Sequence, residues 1–376
     1  MAHVANLGSM HRAGTLISGQ PPTASSSQRC SAARLCRPVC QAQATSQASA
    51  APAGGLAVQN NKLLFGAVEA LFKFPPFFNM AVKNARKRIA ERGRDIGIDM
   101  AVELASLRGV DWGAQIAKVR DPNLEMPEYY TLPFHAYPEG HLSLAAALRA
   151  DVDGRSVHAP VMDPEGKEMR ADGDEQLRSS YTQRMQELMA QAGRCRPMAD
   201  ILDIGCATGL SSLELQRGFP GARIQGIDLS PQHLAVATYQ QERRHETGTD
   251  AGENITFSHA AAEATGFADE SFDLVSSCLV MHELPQFATK AIMKEAFRLL
   301  RPGGVMAIME MNPKSAPFER MWQNPFAYAA FKSTEPWLMD YISLDLHGAL
   351  REAGFTWVRQ AEATPRHRTV VAVKPQ

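Results

Sequence analysis

The stretch Ala199-Asp200-Ile201-Leu202-Asp203-Ile204-Gly205-Cys206-Ala207-Thr208-Gly209-Leu210 constrains the fold of this chain more than any other. It reads as an apolar strand, a tight turn bearing two glycines, and a helix beginning near Leu210. Gly205 and Gly209 let the backbone turn sharply and approach a ligand without interference from a Cβ. The helix that follows offers unpaired N–H groups at its N-terminus. A second strand, Ala222 to Asp228, ends in an acid 19 residues after Gly209. Ser230-Pro231 then opens another helix, serine as N-cap and proline in the first turn. A carboxylate at such a strand tip suits a ribose diol, because its two oxygens accept from both hydroxyls. The unit binds a nucleoside.

Two nucleoside cofactors compete for it. A dinucleotide site uses GxGxxG, with backbone N–H groups around a pyrophosphate. Here the spacing is Gly205-x-x-x-Gly209, and Asp203 stands two residues before the first glycine. A carboxylate there repels a pyrophosphate and attracts an ammonium group. An adenosine carrying an amino acid meets both demands.

Downstream, Phe272 to Val280 is a mostly apolar run suited to a central strand. It ends at Met281-His282-Glu283-Leu284-Pro285. Ile292, Ala296 and Leu299 mark a helix that Pro302-Gly303-Gly304 should stop, and Val305 to Glu310 reads as the next strand. Two last strands, Phe355–Ala361 and Thr369–Lys374, flank Thr364 to Arg368. The pattern is α/β, with a doubly wound, mostly parallel sheet. Ligands in such sheets sit beyond the carboxyl ends of the strands, which places His282, Glu283 and Glu310 beside the reacting group.

In order along the chain, ILDIGCATG, GIDLS, AAAEATGFADESFDLV and LRPGGVMAIME resemble the blocks of class I S-adenosylmethionine-dependent methyltransferases. The resemblance covers about residues 180–376. It is nearest in style to the ubiquinone/menaquinone-biosynthesis type and to methyltransferase-like proteins of plant and algal plastids. It implies a seven-stranded Rossmann-like sheet closed by an antiparallel C-terminal hairpin, with S-adenosyl-L-methionine as cofactor. Asp203 would lie near the methionine ammonium, Gly205 and Gly209 around the methionine and ribose, and Asp228 on the ribose hydroxyls. Cys206, Leu229, Ala262 and Glu263 complete the implied cofactor set. The chain departs from the family pattern twice. Ala207 replaces the middle glycine, and Ala261 stands where an acid often meets the adenine amino group, leaving that task to backbone groups or Glu263.

Methyl transfer needs alignment, exclusion of water and sometimes a base. His282 is the first candidate for a base or positioning residue, since an unperturbed imidazole titrates at ~6.5. Its structural alternative is to hold the following loop. Glu310 has similar standing, and His135 with Tyr137 can close over a substrate. The loop Pro127–Pro138 carries four aromatic residues and a histidine among its prolines, and reads either as a pocket wall or as a plug over the core. From near Asp174 a helix carries Leu177, Tyr181, Met185 and Met189 on one stripe, a packing face from which Tyr181 can still reach a ligand. There is no metal cluster, and no Asn-Pro-Pro-Tyr-type sequence that would suit methylation of nucleic-acid bases.

The segments before the sheet have other characters. Residues 1–50 hold no Asp or Glu, scattered Arg and abundant Ala and Ser, which reads as an organelle transit peptide, plastid before mitochondrion. We divide the chain into a leader (1–40), a linker (41–61), a helical forepart (62–180) with a lid role over the substrate, and a methyltransferase domain (181–376). Without the leader, 35 Lys+Arg face 40 Asp+Glu, so the remainder is mildly acidic and nucleic acid is not its expected partner. No apolar run reaches the length of a membrane span. Leu64, Val68, Leu71 and Phe72 lie at helical spacing before Pro75-Pro76, and a basic helix follows. These helices either pack on the core or make a peripheral membrane contact through 62–94. The functional expectation is methylation, at carbon or oxygen, of a small apolar or aromatic acceptor such as a prenylquinol in a plastid. The alternatives are a non-catalytic S-adenosylmethionine-binding scaffold and a nicotinamide-dependent dehydrogenase.

Overall fold

Pro75-Pro76 marks a boundary, but it opens a helix as well as ending one. In the computed structural model, which describes residues 62–131, 140–194, 197–248 and 254–376, α1 (Lys62–Phe72) stops just before it. The prolines then occupy the first turn of α2 (Pro75–Asp95), where a missing N–H costs nothing. The expected leader and linker, and His135 and Tyr137, lie outside the described residues. The forepart continues through α3 (Met100–Ala105), α4 (Trp112–Val119), α5 (Leu144–His158) and α6 (Gly173–Gln191). Asp99, Asp111 and Ser143 cap α3, α4 and α5 with side-chain oxygens on backbone N–H groups, as helix N-termini require. The stripe expected on α6 is a packing face: Leu177, Tyr181, Met185 and Met189 are all buried.

Seven strands follow, β1 (Asp200–Ile204), β2 (Arg223–Asp228), β3 (Ile255–His259), β4 (Phe272–Cys278), β5 (Leu300–Met311), β6 (Trp357–Thr364) and β7 (His367–Val373). They form one sheet of order β3-β2-β1-β4-β5-β7-β6. The first five are mutually parallel, and β7 runs antiparallel between β5 and β6, as expected. Period-two alternation sends Leu202 and Ile204 to one buried face and Ile201 to the other, so both faces are covered. Flanking helices α7 (Leu210–Gly218), α8 (Pro231–Glu246) and α9 (Gln286–Leu299) supply the cover near the cleft. Gly303 takes a left-handed φ of 75°, and Pro302-Gly303-Gly304 enters β5 through a register shift opposite Phe272–Leu274. The strand thus starts five residues earlier than expected. The hairpin turn is also tighter, leaving only Pro365-Arg366 between β6 and β7.

Residues 313–354, unassigned by the sequence reading, fold into four short helices: α10 (Ala316–Gln323), α11 (Pro325–Thr334), α12 (Leu338–Ser343) and α13 (Leu346–Glu352). Trp322, Tyr328 and Phe331 gather aromatic rings there. Phe65 of α1 packs edge-on against Tyr328 at 5.4 Å, and Lys332 pairs with Glu69 at 2.9 Å. The forepart and this insertion therefore build one cap.

Candidate active site

The sheet order reverses between β1 and β4, and a cleft opens at their carboxyl ends. Its walls include Gly205, Asp228, Leu229, Ala262 and Glu263. Gly205 has φ 67°, and a Cβ there would lie 2.5 Å from Val280 Cγ2. Gly209 has φ 86°, and its Cβ would strike the Phe257 ring at 2.7 Å. Both glycines are thus required twice over, by backbone sign and by space. Ala207, in place of the family's middle glycine, is also left-handed at φ 46°, a strained conformation for an L-residue.

The turn is tied to β2. Gly205 N and Cys206 N donate to Ile227 O at 2.9 and 3.0 Å. Asp228 accepts from Ala207 N at 2.9 Å and from Ser230 N at 2.7 Å. Burial pushes its carboxyl up to about 6, against the lowering effect of those two N–H donors. Asp203 is fully buried and accepts through one oxygen from Ser211 Oγ at 2.7 Å and Ser212 Oγ at 2.6 Å. Its other oxygen is buried with no partner, and burial again raises the carboxyl to about 6. Asp203, Cys206 and Gly209 do not line the cleft: Asp203 points to the sheet face under α7, and Cys206 is buried against Gly226. The serines were missed by sequence reasoning, although two hydroxyls in the first turn after an acid-bearing strand are a readable signal.

The cleft's outer wall comes from the forepart. Asp121 N donates to His259 Nδ1 at 3.1 Å, and His259 Nε2 lies 3.0 Å from Leu229 O. This histidine pins the segment after α4 to the end of β3. The chain then delivers Tyr129 and Tyr130, on a single 3-10 turn, into the cleft. Tyr129 donates its hydroxyl to Glu263, and Trp337 Nε1 donates to Tyr129 O at 3.2 Å. Burial, followed by the Glu263 carboxylate, raises the Tyr129 phenol, so it stays a neutral donor. Glu263 Oε2 is buried and unpartnered. Of the two readings of the prolyl-aromatic loop, its described part forms a pocket wall.

At the tips of β4 and β5 stands a second constellation. His282 Nδ1 lies 3.0 and 3.1 Å from the two oxygens of Glu310. Glu310 also accepts from His282 N at 3.2 Å and Met311 N at 2.9 Å. Burial alone would lower the imidazole, but the Glu310 carboxylate outweighs it and lifts the pKa to about 10. The Glu310 carboxylate thus favours the protonated imidazole, and the contact holds the loop after β4 in place. Tyr341 of α12 closes the site, donating to Met311 O and accepting from Arg368 Nη2 at 3.1 Å.

Tyr181 does not reach a ligand. Its hydroxyl bonds to Ser276 Oγ at 2.9 Å and Ala307 O at 3.0 Å, bridging β4 and β5. One turn earlier, Arg178 pairs with Asp174 at 2.9 Å and His158 meets the same carboxylate at 2.6 Å. Burial would raise Asp174, but Arg178 and His158 hold it well below the usual range. Cys206 and Cys278 are free and buried, and burial lifts the Cys278 thiol to about 12. No cluster of three or more metal-ligating side chains occurs among the described residues.

Residues 201–304 match the family described as "Methyltransferase domain". The chain is similar to an uncharacterized methyltransferase of Synechocystis sp., at 28% identity over 44% of this chain and 70% of that one. It is 33% identical to a demethylmenaquinone methyltransferase of Chlorobaculum parvum, over 32% of this chain and 45% of the relative. With a ubiquinone biosynthesis O-methyltransferase of Psychrobacter arcticus it shares 29% identity over 42% and 58% of the two chains. The chain thus spans about half the length of the latter two relatives. The family match runs from β1 into the start of β5, and it identifies the cleft-bearing half of the sheet as a methyltransferase domain of the S-adenosylmethionine-dependent type.

Proposed function

We propose that this protein transfers a methyl group from S-adenosylmethionine to carbon or oxygen of a small apolar or aromatic acceptor of the quinol type, in a plastid. The observation that carries the cofactor assignment is the pair of cleft carboxylates held only by neutral donors. Asp228 lines the cleft with both oxygens already oriented by backbone N–H groups, a rigid acceptor pair for two hydroxyls. Glu263 keeps a buried oxygen without a partner at the cleft wall. Such acceptors fit a ligand that brings hydroxyl and amino donors together. A pyrophosphate would bring none.

The bound cofactor supplies an electrophilic methyl on a sulfonium. The residues then have three tasks. Gly205, Asp228 and Glu263 fix the nucleoside; Tyr129, Tyr130, Leu284 and the cap exclude water; the His282–Glu310 pair fixes the loop at the tips of β4 and β5. The acceptor class is supported by the printed names of two relatives and by the aromatic cap. The acid-free leader supports the plastid.

Calorimetry with S-adenosylmethionine, followed by transfer of labelled methyl to plastid extract, tests this reading. Cofactor binding with an apolar labelled product is expected. Binding without product would favour a scaffold, and saturable NAD binding alone would overturn the cofactor.

A further inference from the structure

α1 is apolar on two adjoining faces. Its inner stripe, Phe65, Val68 and Phe72, is buried on the cap. Its outer stripe is exposed, with Leu64 at 44% and Leu71 at 39%. Phe74, between α1 and α2, is 58% exposed, and Met80 on the first turns of α2 is 51% exposed. Among the described residues, four of the nine exposed large apolar side chains fall within positions 64–80. Single exposed apolar residues are ordinary, but such a concentration marks a contact surface. Beyond Met80, the outward face of α2 continues through exposed Lys83, Lys87 and Arg88, spaced to lie on one side of a helix.

Charge identifies the occupant. Residues 62–95 carry eight Lys+Arg against three Asp+Glu, whereas residues 96–376 carry 27 against 37. A basic, apolar-edged face thus stands on an acidic body. Residues 1–61 hold four arginines and no acid, so that segment is repelled by this face. A second copy meeting it face to face would also set like charges together. We propose that α1 and α2 seat the protein on an anionic lipid bilayer. Leu64, Leu71, Phe74 and Met80 enter the headgroup–acyl boundary, and Lys83, Lys87 and Arg88 meet the lipid anions. No described helix is long and apolar enough to cross a membrane, so this is surface docking. It gives the exposed stripe of α1 a purpose beside the neighbouring stripe that packs on Tyr328 of the cap.

The test is flotation of the full chain with phosphatidylcholine vesicles, with or without phosphatidylglycerol. No methyl acceptor is involved, so the quinol reading can fail separately. The chain is expected to float with anionic vesicles and to be released by high salt. Joint Lys83→Glu, Lys87→Glu and Arg88→Glu substitution should weaken partitioning roughly 100-fold. Leu71→Ser with Phe74→Ser should weaken it at least about tenfold. Both variants should keep wild-type cofactor affinity, which shows that they fold. Vesicle binding unchanged in both variants would overturn the proposal by assigning adhesion to residues 1–61. Equal flotation with neutral vesicles, or none, would also overturn it. So would a dimer dispersed by the Phe74 variant.

Discussion

The cofactor end and the acceptor end of the sheet both bury carboxylates, but they satisfy them differently. Asp203 and Asp228 accept only from hydroxyl and amide donors, and burial leaves both near 6. Glu310, equally buried, faces an imidazolium and two backbone N–H groups. The first arrangement leaves its carboxylates without a hydrogen-bonded counter-charge; the second is complete by itself. Desolvation without a counter-charge is destabilising, and a protein tolerates it where binding restores the balance. An ion pair finished within the fold instead fixes a loop. The two ends therefore divide the labour: one awaits a ligand, the other holds a shape.

Breaking the finished end should cost most. Glu310→Ala strands a buried imidazolium and should lower unfolding free energy by ~3–5 kcal/mol, read from urea denaturation at neutral pH. Because the His282 pKa is raised to about 10, the pair's stabilisation is full below the unfolded value of ~6.5. It is lost as pH rises through the folded value. Asp203→Asn, by contrast, removes a charge that burial already disfavours, and its stability should stay within ~1 kcal/mol of wild type. Equal losses in the two variants would erase the distinction. Gly205→Ala comes next, at ~1–3 kcal/mol in the same assay, since its Cβ meets Val280 and its φ is positive. Gly221→Ala, with φ 86° but open space, separates strain from collision and should cost only ~1 kcal/mol.

The same division explains what could be read in advance. The turn at 205–209, the acid ending β2 and Ser230-Pro231 were legible because each is local, its residue type fixed by backbone sign or capping. The cap was not. α10 to α13 have only six to ten residues each, too few for a firm apolar period, and α11 is buried against α1, more than 240 residues earlier. Nor could the sequence say that His282 would find Glu310, a contact 28 residues apart made only when β4 and β5 lie side by side. That pairing favours the protonated imidazole over the free base. Tyr129 reached the cleft in the same way, through a forepart whose position rests on His259.

At the open end, Asp228→Asn should weaken S-adenosylmethionine binding by ~1–3 kcal/mol, measured by calorimetry. With its carboxyl raised to about 6, wild-type affinity should fall as pH drops through that value, and the asparagine variant should lose this dependence. For folding the sign is opposite. A carboxyl raised above ~3.8 favours the protonated folded state, so its contribution is full below that pH and is lost as pH rises through about 6. Cofactor binding that is flat from pH 5 to 7.5 would detach Asp228 from the ligand.

The smallest effect should come from Tyr129→Phe, and it discriminates most finely. The hydroxyl closes the cleft on Glu263, so its loss should cost ~0.5–1.5 kcal/mol of stability. The same bond occupies one oxygen of Glu263, a proposed acceptor for the adenine amino group. Freed from the phenol, Glu263 can turn its oxygens to the ligand, while the phenylalanine ring keeps the wall intact. Calorimetry should then show cofactor affinity unchanged or raised by a few-fold. A tenfold weakening would mean that the hydroxyl itself contacts the cofactor. Tyr129 would then belong to the binding set, and the cleft's outer wall would be a part of the ligand site built by the forepart.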